Sequence, residues 1–188
     1  TSGEAAMQAL QDHKYGKFFF HLGPKRDESV FFKIKENNTS LERCNFILCT
    51  GLFDDGGDDL NYYKEVLKNH IEKKLICTNP DLTVHRGDVE EYCAGSIANL
   101  FESIGGKVIY FGKPYKEIYK MCFEDGEKTL AIGDNLNTDI KGANNMNIDS
   151  IFISNGVHRA EFKNDSELFA LSLKYKVKAN YYQPQLIW

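Results

Sequence analysis

An α/β fold built on parallel sheet is predicted for this chain from three observations. From residue 75 onward, short apolar runs alternate with helical periodicity: strand, helix, strand, helix, strand, helix, strand. That order is the mark of parallel strands joined by crossover helices. Glycine, acidic and amide residues cluster just past several of the apolar runs, where ligands of such sheets gather. The composition is globular, 42% hydrophobic and 27% charged over 188 residues, which excludes extensive disorder and allows one domain or one and a half smaller ones.

The elements follow in order. Lys-Phe-Phe-Phe at 17–20 and Val-Phe-Phe-Lys-Ile at 30–34 are aromatic and β-branched, hence strand-like, with a charged turn over 24–29 and a polar loop over 35–43. The aromatic cluster Phe18, Phe19, Phe20, Phe31 and Phe32 alternates at strand spacing and reads as core. Residues 45–50 read as a buried strand, followed by a Gly/Asp loop from Gly51 to Asp59 whose acidic run reads as solvated, with Asp59 capping a helix to Lys74. A strand over 75–78 ends at Asn79-Pro80-Asp81, and a helix over 89–104 carries Ile97, Leu100, Phe101 and Ile104 on one face. Strand 107–111 leads to Gly112-Lys113-Pro114, with Pro114 suited to open a helix over 114–123. Strand 129–132, helix 138–146, strand 149–154, a helix from Asp165 or Ser166 to Tyr175 and a short closing strand complete the chain.

Charge and composition exclude several classes. The net charge is −4 and the lysines are dispersed, so no basic footprint for nucleic acid exists. No run of about 18 apolar residues occurs, which argues against a membrane-spanning helix. Cys44, Cys49, Cys77, Cys93 and Cys122 are odd in number, irregularly spaced and without a CxxC pair. They read as buried hydrophobes of a reducing, cytoplasmic protein rather than as disulfides or a zinc site.

Three segments can carry chemistry. In Ala131-Ile132-Gly133-Asp134-Asn135-Leu136-Asn137-Thr138-Asp139, an apolar strand ends in Gly-Asp and a second carboxylate stands five residues on. Gly133 permits a sharp turn, Asp134 projects from the strand tip, and Asp139 lies in the first helical turn, where the helix dipole favours it. Two carboxylates with asparagine oxygens suit Mg²⁺; a solvated loop with Asp139 as a cap is the plainer reading. Phe111-Gly112-Lys113-Pro114 delivers a lysine to a helix N-terminus, where a cation needs an anionic partner, a phosphate or an aspartate cluster. Asn79 and Asp81, past a strand, either bind substrate hydroxyls or build an Asx-turn. His85, Arg86 and His158 read first as ordinary surface residues, with substrate or phosphate contacts as the alternative.

Together these segments resemble the haloacid dehalogenase (HAD) superfamily, specifically subfamily IIA, the NagD-like phosphatases. The resemblance rests on Thr1-Ser2-Gly3-Glu4-Ala5, Cys77-Thr78-Asn79-Pro80-Asp81, Gly112-Lys113-Pro114, Gly133 through Ala143, and Gly156-Val157-His158-Arg159, in that order. It implies a HAD-like Rossmannoid parallel sheet with an inserted α/β type-C2 cap: a core remnant over 1–13, the cap over 14–108 and the C-terminal half of the core over 109–188. It implies a Mg²⁺-dependent phosphatase acting on a small phosphorylated metabolite (a sugar phosphate, nucleotide or phosphoglycolate-like compound) through an aspartyl-phosphate. Lys113 would be the lysine that neutralises phosphate and nucleophile, Asp134 the metal ligand, Asp139 the second acidic residue of the catalytic and metal site, and Asn79 and Asp81 weaker substrate contacts.

The sequence departs from the family pattern at its start. The family's D-x-D nucleophile motif and its Ser/Thr strand tip precede the stretch that here is residues 1–5. Asp54-Asp55, Asp58-Asp59 and Asp125 offer no D-x-D after an apolar run. The expectation is an incomplete core lacking its first strands, inactive alone and seeking its own missing N-terminal segment or a homo-oligomer partner. A truncated, non-catalytic ligand- or partner-binding module is the alternative.

Overall fold

The computed structural model describes residues 2–86, 89–124 and 126–187, with the side chains of residues 85–90 outside that description. The chain divides into two compact units, Thr1–Gly112 and Lys113–Trp188. Both are α/β with parallel sheet, as the alternating pattern predicts.

In the first unit, helix α1 (Ser2–Gln11) precedes strand β1 (Phe19–Leu22), a 3₁₀ segment (Lys25–Asn37) and β2 (Phe46–Cys49). Then come α2 (Leu60–Leu67), β3 (Lys74–Cys77), β4 (Thr83–Arg86), β5 (Val89–Tyr92), α3 (Ala94–Ser103) and β6 (Lys107–Tyr110). Four strands pair in parallel in the order β1-β2-β3-β6, with Phe19 opposite Phe46, Phe46 opposite Lys74 and Lys74 opposite Lys107. Every residue of β2 is buried, as befits a central strand covered on both faces. On one face Ile47, Cys49, Leu75 and Cys77 share a core with Tyr63 and Leu67 of α2 and Ile97 and Phe101 of α3. On the other, the Phe31 ring lies 5.1 Å from Phe19 and 4.5 Å from His21.

Several expectations are corrected here. Residues 30–34 form 3₁₀ turns, not a strand. The buried residues Phe31, Ile34 and Asn37 recur every third position, which is the 3₁₀ period. The aromatic cluster is therefore divided: Phe19 and Phe31 are core, whereas Phe18 and Phe32 are exposed. The helix expected over 89–104 begins only at Ala94, because residues before it pair as an antiparallel hairpin with Arg86 opposite Val89. Gly87-Asp88 between the strands is a hairpin signal in the sequence. The helix after Asp59 stops at Leu67 and is finished by a 3₁₀ turn, Lys68–His70. Asp59 caps it as expected, accepting the Asn61 N–H at 2.9 Å. The strand before Lys113 pairs with β3 and lies whole in the first unit.

The second unit contains α4 (Lys116–Tyr119), β7 (Leu130–Gly133), a π-helical turn (Leu136–Ile140), α5 (Lys141–Met146), β8 (Asp149–Ile153), α6 (Asp165–Tyr175) and β9 (Tyr181–Gln183). Its sheet is parallel in the order β7-β8-β9, and the closing strand falls within the predicted tail. Leu136, Ile140, Phe152, Leu168, Leu171 and Val177 form the core. The helix expected over 114–123 shrinks to α4. Tyr115 at its N-cap is extended (φ −83°, ψ 144°), so Pro114 precedes the helix instead of opening it.

None of the five cysteines forms a disulfide; Cys44, Cys49, Cys77 and Cys93 are buried, whereas Cys122 is exposed, against expectation. Burial pushes the Cys49 thiol well up and Cys77 to about 12, so both stay protonated. Among the described residues no helix is long and apolar enough to cross a membrane.

His21 gives the first unit a pH signature. Its Nε2 lies 2.9 Å from Thr50 Oγ1. Burial lowers its pKa below 6.5, with Asp27 and Glu28 pulling the other way. The folded state therefore disfavours the charged ring. The associated stability is present above pH 6.5 and is lost as pH falls through the depressed folded value. Melting curves between pH 7 and 5 should show a steeper loss for the wild type than for His21→Gln; equal slopes would contradict this.

Candidate functional site

The motif-bearing residues of the second unit meet at the carboxyl end of β7. That strand ends at Gly133, Asp134 and Asn135 form the loop, and the π-helical turn carries Asp139. Asn135 accepts the Asn137 N–H at 2.8 Å, so its side-chain oxygen serves the turn. Asp139 is buried, 8% exposed, and accepts the Asn135 N–H through Oδ2 at 3.1 Å. A Cβ on Gly133 would come within 2.2 Å of Asp139 Cγ. Glycine there makes room for the carboxylate to fold under the strand tip.

Lys113 forms an ion pair through Nζ with Asp139 Oδ1. The anionic partner that a lysine beside a helix start requires is thus this carboxylate. The Lys113 side chain is still 54% exposed, which leaves its ammonium open to a second anion. Asp134 has a different partner: its Oδ2 accepts the Val157 N–H at 3.1 Å. A Cβ on Gly156 would fall 2.2 Å from both Asp134 Cβ and Oδ2. The structure therefore joins Lys113 directly to Asp139, and ties Asp134 to residues 156–157.

Tyr119 borders the site. It is 9% exposed, and its hydroxyl would be 1.9 Å from a Cβ on Gly142. Burial first, and then the Asp139 charge, push its pKa up to about 12, so it remains a neutral phenol.

Asn79 and Asp81 belong to the first unit. Asn79 Oδ1 accepts the Asp81 N–H at 3.2 Å, which is the Asx-turn. Both also line a cavity of about 450 Å³ with Arg26, Asp27, Asp54 and Tyr92. The side chains of His85 and Arg86 lie outside the described residues, as do Thr1 and Asp125. His158 is not a surface residue: it is 4% exposed, a correction to its expected role. Burial of one histidine is a tertiary property with no local sequence mark. Gly156 and the Val157 N–H were likewise unreadable as supports of Asp134.

The donor set fits Mg²⁺. Among the described residues no three His, Cys, Asp or Glu side chains cluster around a common point, which disfavours an all-protein cage. Mg²⁺ keeps several waters and binds through one or two carboxylates, which is what Asp134 and Asp139 offer.

A family profile described as HAD-hydrolase-like matches residues 110–173. The ribonucleotide monophosphatase NagD of Escherichia coli (strain K12) is 31% identical over 88 residues, covering 45% of this chain and 34% of that protein. The dihydroxyacetone phosphatase of Corynebacterium glutamicum (strain R) is 28% identical over 89 residues, covering 45% of this chain and 32% of that protein. The matches thus span about a third of these curated relatives. The crystal structure of a haloacid dehalogenase-like family hydrolase from Brucella suis 1330 superposes with a TM-score of 0.77 at 26% identity, covering 100% of this chain and 71% of that chain. The Gly133–Ala143 motif, the Lys113–Asp139 pair and the fold agree with these likenesses: the chain is similar to haloacid dehalogenase-like hydrolases, NagD among them.

Proposed function

We propose that the second unit carries the lysine and metal-binding part of a Mg²⁺-dependent phosphatase site for a small phosphorylated metabolite: a sugar phosphate, a nucleotide or a phosphoglycolate-like compound. The observation that supports it most is the buried Asp139 carboxylate ion-paired to a half-exposed Lys113. A buried carboxylate holds the cation in place, and the cation's open side can meet phosphate oxygens. Asp134 and Asp139 would hold Mg²⁺, and the bound ion supplies positive charge to the phosphoryl oxygens. Tyr119, kept neutral, packs beside Asp139 without adding charge. On this reading residues 14–108 form the cap, with Asn79 and Asp81 as weaker substrate contacts.

Attack on phosphorus needs a carboxylate that this sequence does not place as D-x-D. Asp54 Oδ2 accepts the Lys25 N–H at 2.9 Å, and Asp59 caps α2. The 188-residue polypeptide is therefore expected to hydrolyse no p-nitrophenyl phosphate, yet to melt at higher temperature with Mg²⁺ plus orthophosphate, an effect removed by Lys113→Ala. Mg²⁺-dependent turnover would contradict the need for a further nucleophile. An unchanged melting temperature would favour the second reading, a non-catalytic binding module, which the missing D-x-D also supports.

A further inference from the structure

Residues 156–158 brace the loop 134–136 by three separate contacts. Gly156 leaves space that a Cβ would take from Asp134. Val157 donates its N–H to Asp134 Oδ2 at 3.1 Å. His158 Nε2 accepts the Leu136 N–H at 3.1 Å.

The third contact answers a specific need. Leu136 opens the π-helical turn, so its N–H has no partner within the turn. It is also buried, with Leu136 1% exposed, and water cannot easily replace a lost acceptor there. Asn135, the local cap, is committed to the Asn137 N–H. The acceptor therefore comes from the chain beyond β8. Because Nε2 accepts, the imidazole is neutral and carries its hydrogen on Nδ1. Nδ1 faces Glu161 Oε1, and Glu161 in turn accepts from Tyr175 Oη at 3.4 Å and pairs with Lys174 at 3.5 Å. The ring is clamped edge-on by Tyr175, with centroids 5.0 Å apart. A side chain serving only as core filling would not need its tautomer fixed by a carboxylate.

We propose that His158 is a positioning residue: held as the Nδ1–H tautomer by Glu161, it anchors the Leu136 amide and so fixes the strand-tip loop that presents Asp134. The consequence for metal binding rests on the reading of Asp134 as a Mg²⁺ ligand. Residues that orient a ligand loop typically change metal affinity by about 10–100-fold when lost.

The test uses the whole 188-residue chain with Mg²⁺ alone as probe. Long-range ¹H–¹⁵N spectra of the wild type should show His158 with Nδ1 protonated. Hydrogen exchange at the Leu136 amide should be slow, should accelerate in His158→Ala, and should slow again in His158→Gln, whose amide oxygen can accept the same bond. Calorimetric Mg²⁺ affinity should fall by roughly tenfold or more in His158→Ala and recover in His158→Gln. An Nε2–H tautomer, or Leu136 exchange indifferent to His158→Ala, would overturn the proposal. If wild type binds no Mg²⁺, the metal reading fails, and the tautomer and Leu136 exchange still decide the role of His158.

Discussion

Gly156→Ala should weaken Mg²⁺ binding by about 10–100-fold, the range seen when a support outside the ligand shell is lost. The cause is steric. The new methyl would stand 2.2 Å from Asp134 Cβ, an atom fixed by the backbone, so no rotamer change relieves the clash. Asp134 must then swing away from the Val157 N–H that holds it at 3.1 Å. Overpacking of this kind also costs about 1–3 kcal/mol of stability. Val157→Ala is the matched control: Val157 is 62% exposed and the variant keeps the backbone donor, so binding should hold. Calorimetric titration of both variants checks this. Equal affinity in Gly156→Ala and wild type would show that Asp134 does not depend on this contact.

Phe101→Ala should cost about 3–5 kcal/mol, the usual price of emptying a large aromatic site in a core. Phe101 is 0% exposed and shares the cluster with Leu75, Ile97 and Tyr110. Gly106 folds against its ring so closely that a Cβ would lie 2.3 Å from Cε1, and the Gly106 N–H donates to the Phe101 carbonyl at 2.9 Å. The ring thus joins α3 to the turn that starts β6, the strand running into Lys113. Urea denaturation gives the number directly. A loss under about 1 kcal/mol, the size of a surface substitution, would mean that the site collapses around the deletion or that this core matters little.

The second unit carries a local signal because strand, glycine and carboxylate stand next to one another in its sequence. Asp134 and Asp139 flank one turn, and the strand predicted over 129–132 is observed one residue on, at Leu130–Gly133. Lys113 asked for an anion by its position, and Asp139 supplies it. Tertiary context hid the rest. Val-Phe-Phe-Lys-Ile looked like a strand because its residues favour strands, but burial at Phe31, Ile34 and Asn37 follows a period of three that only the packed sheet imposes. Helical spacing in 97–104 drew the predicted start back to Val89, across strand residues whose partner, Thr83–Arg86, is itself only four residues long. His158 was legible as a motif member but not as buried, since its burial comes from Phe152 and Tyr175, distant elements that no local pattern links.

The most direct measurement is a Mg²⁺ titration of the 188-residue chain followed by backbone amide NMR, in wild type and Asp134→Asn. The Lys113–Asp134–Asp139 assignment predicts saturable shifts at Asp134, Asn135, Asp139, Gly156 and Val157, abolished in Asp134→Asn. No shift at these amides, or the same shifts in the variant, would contradict it.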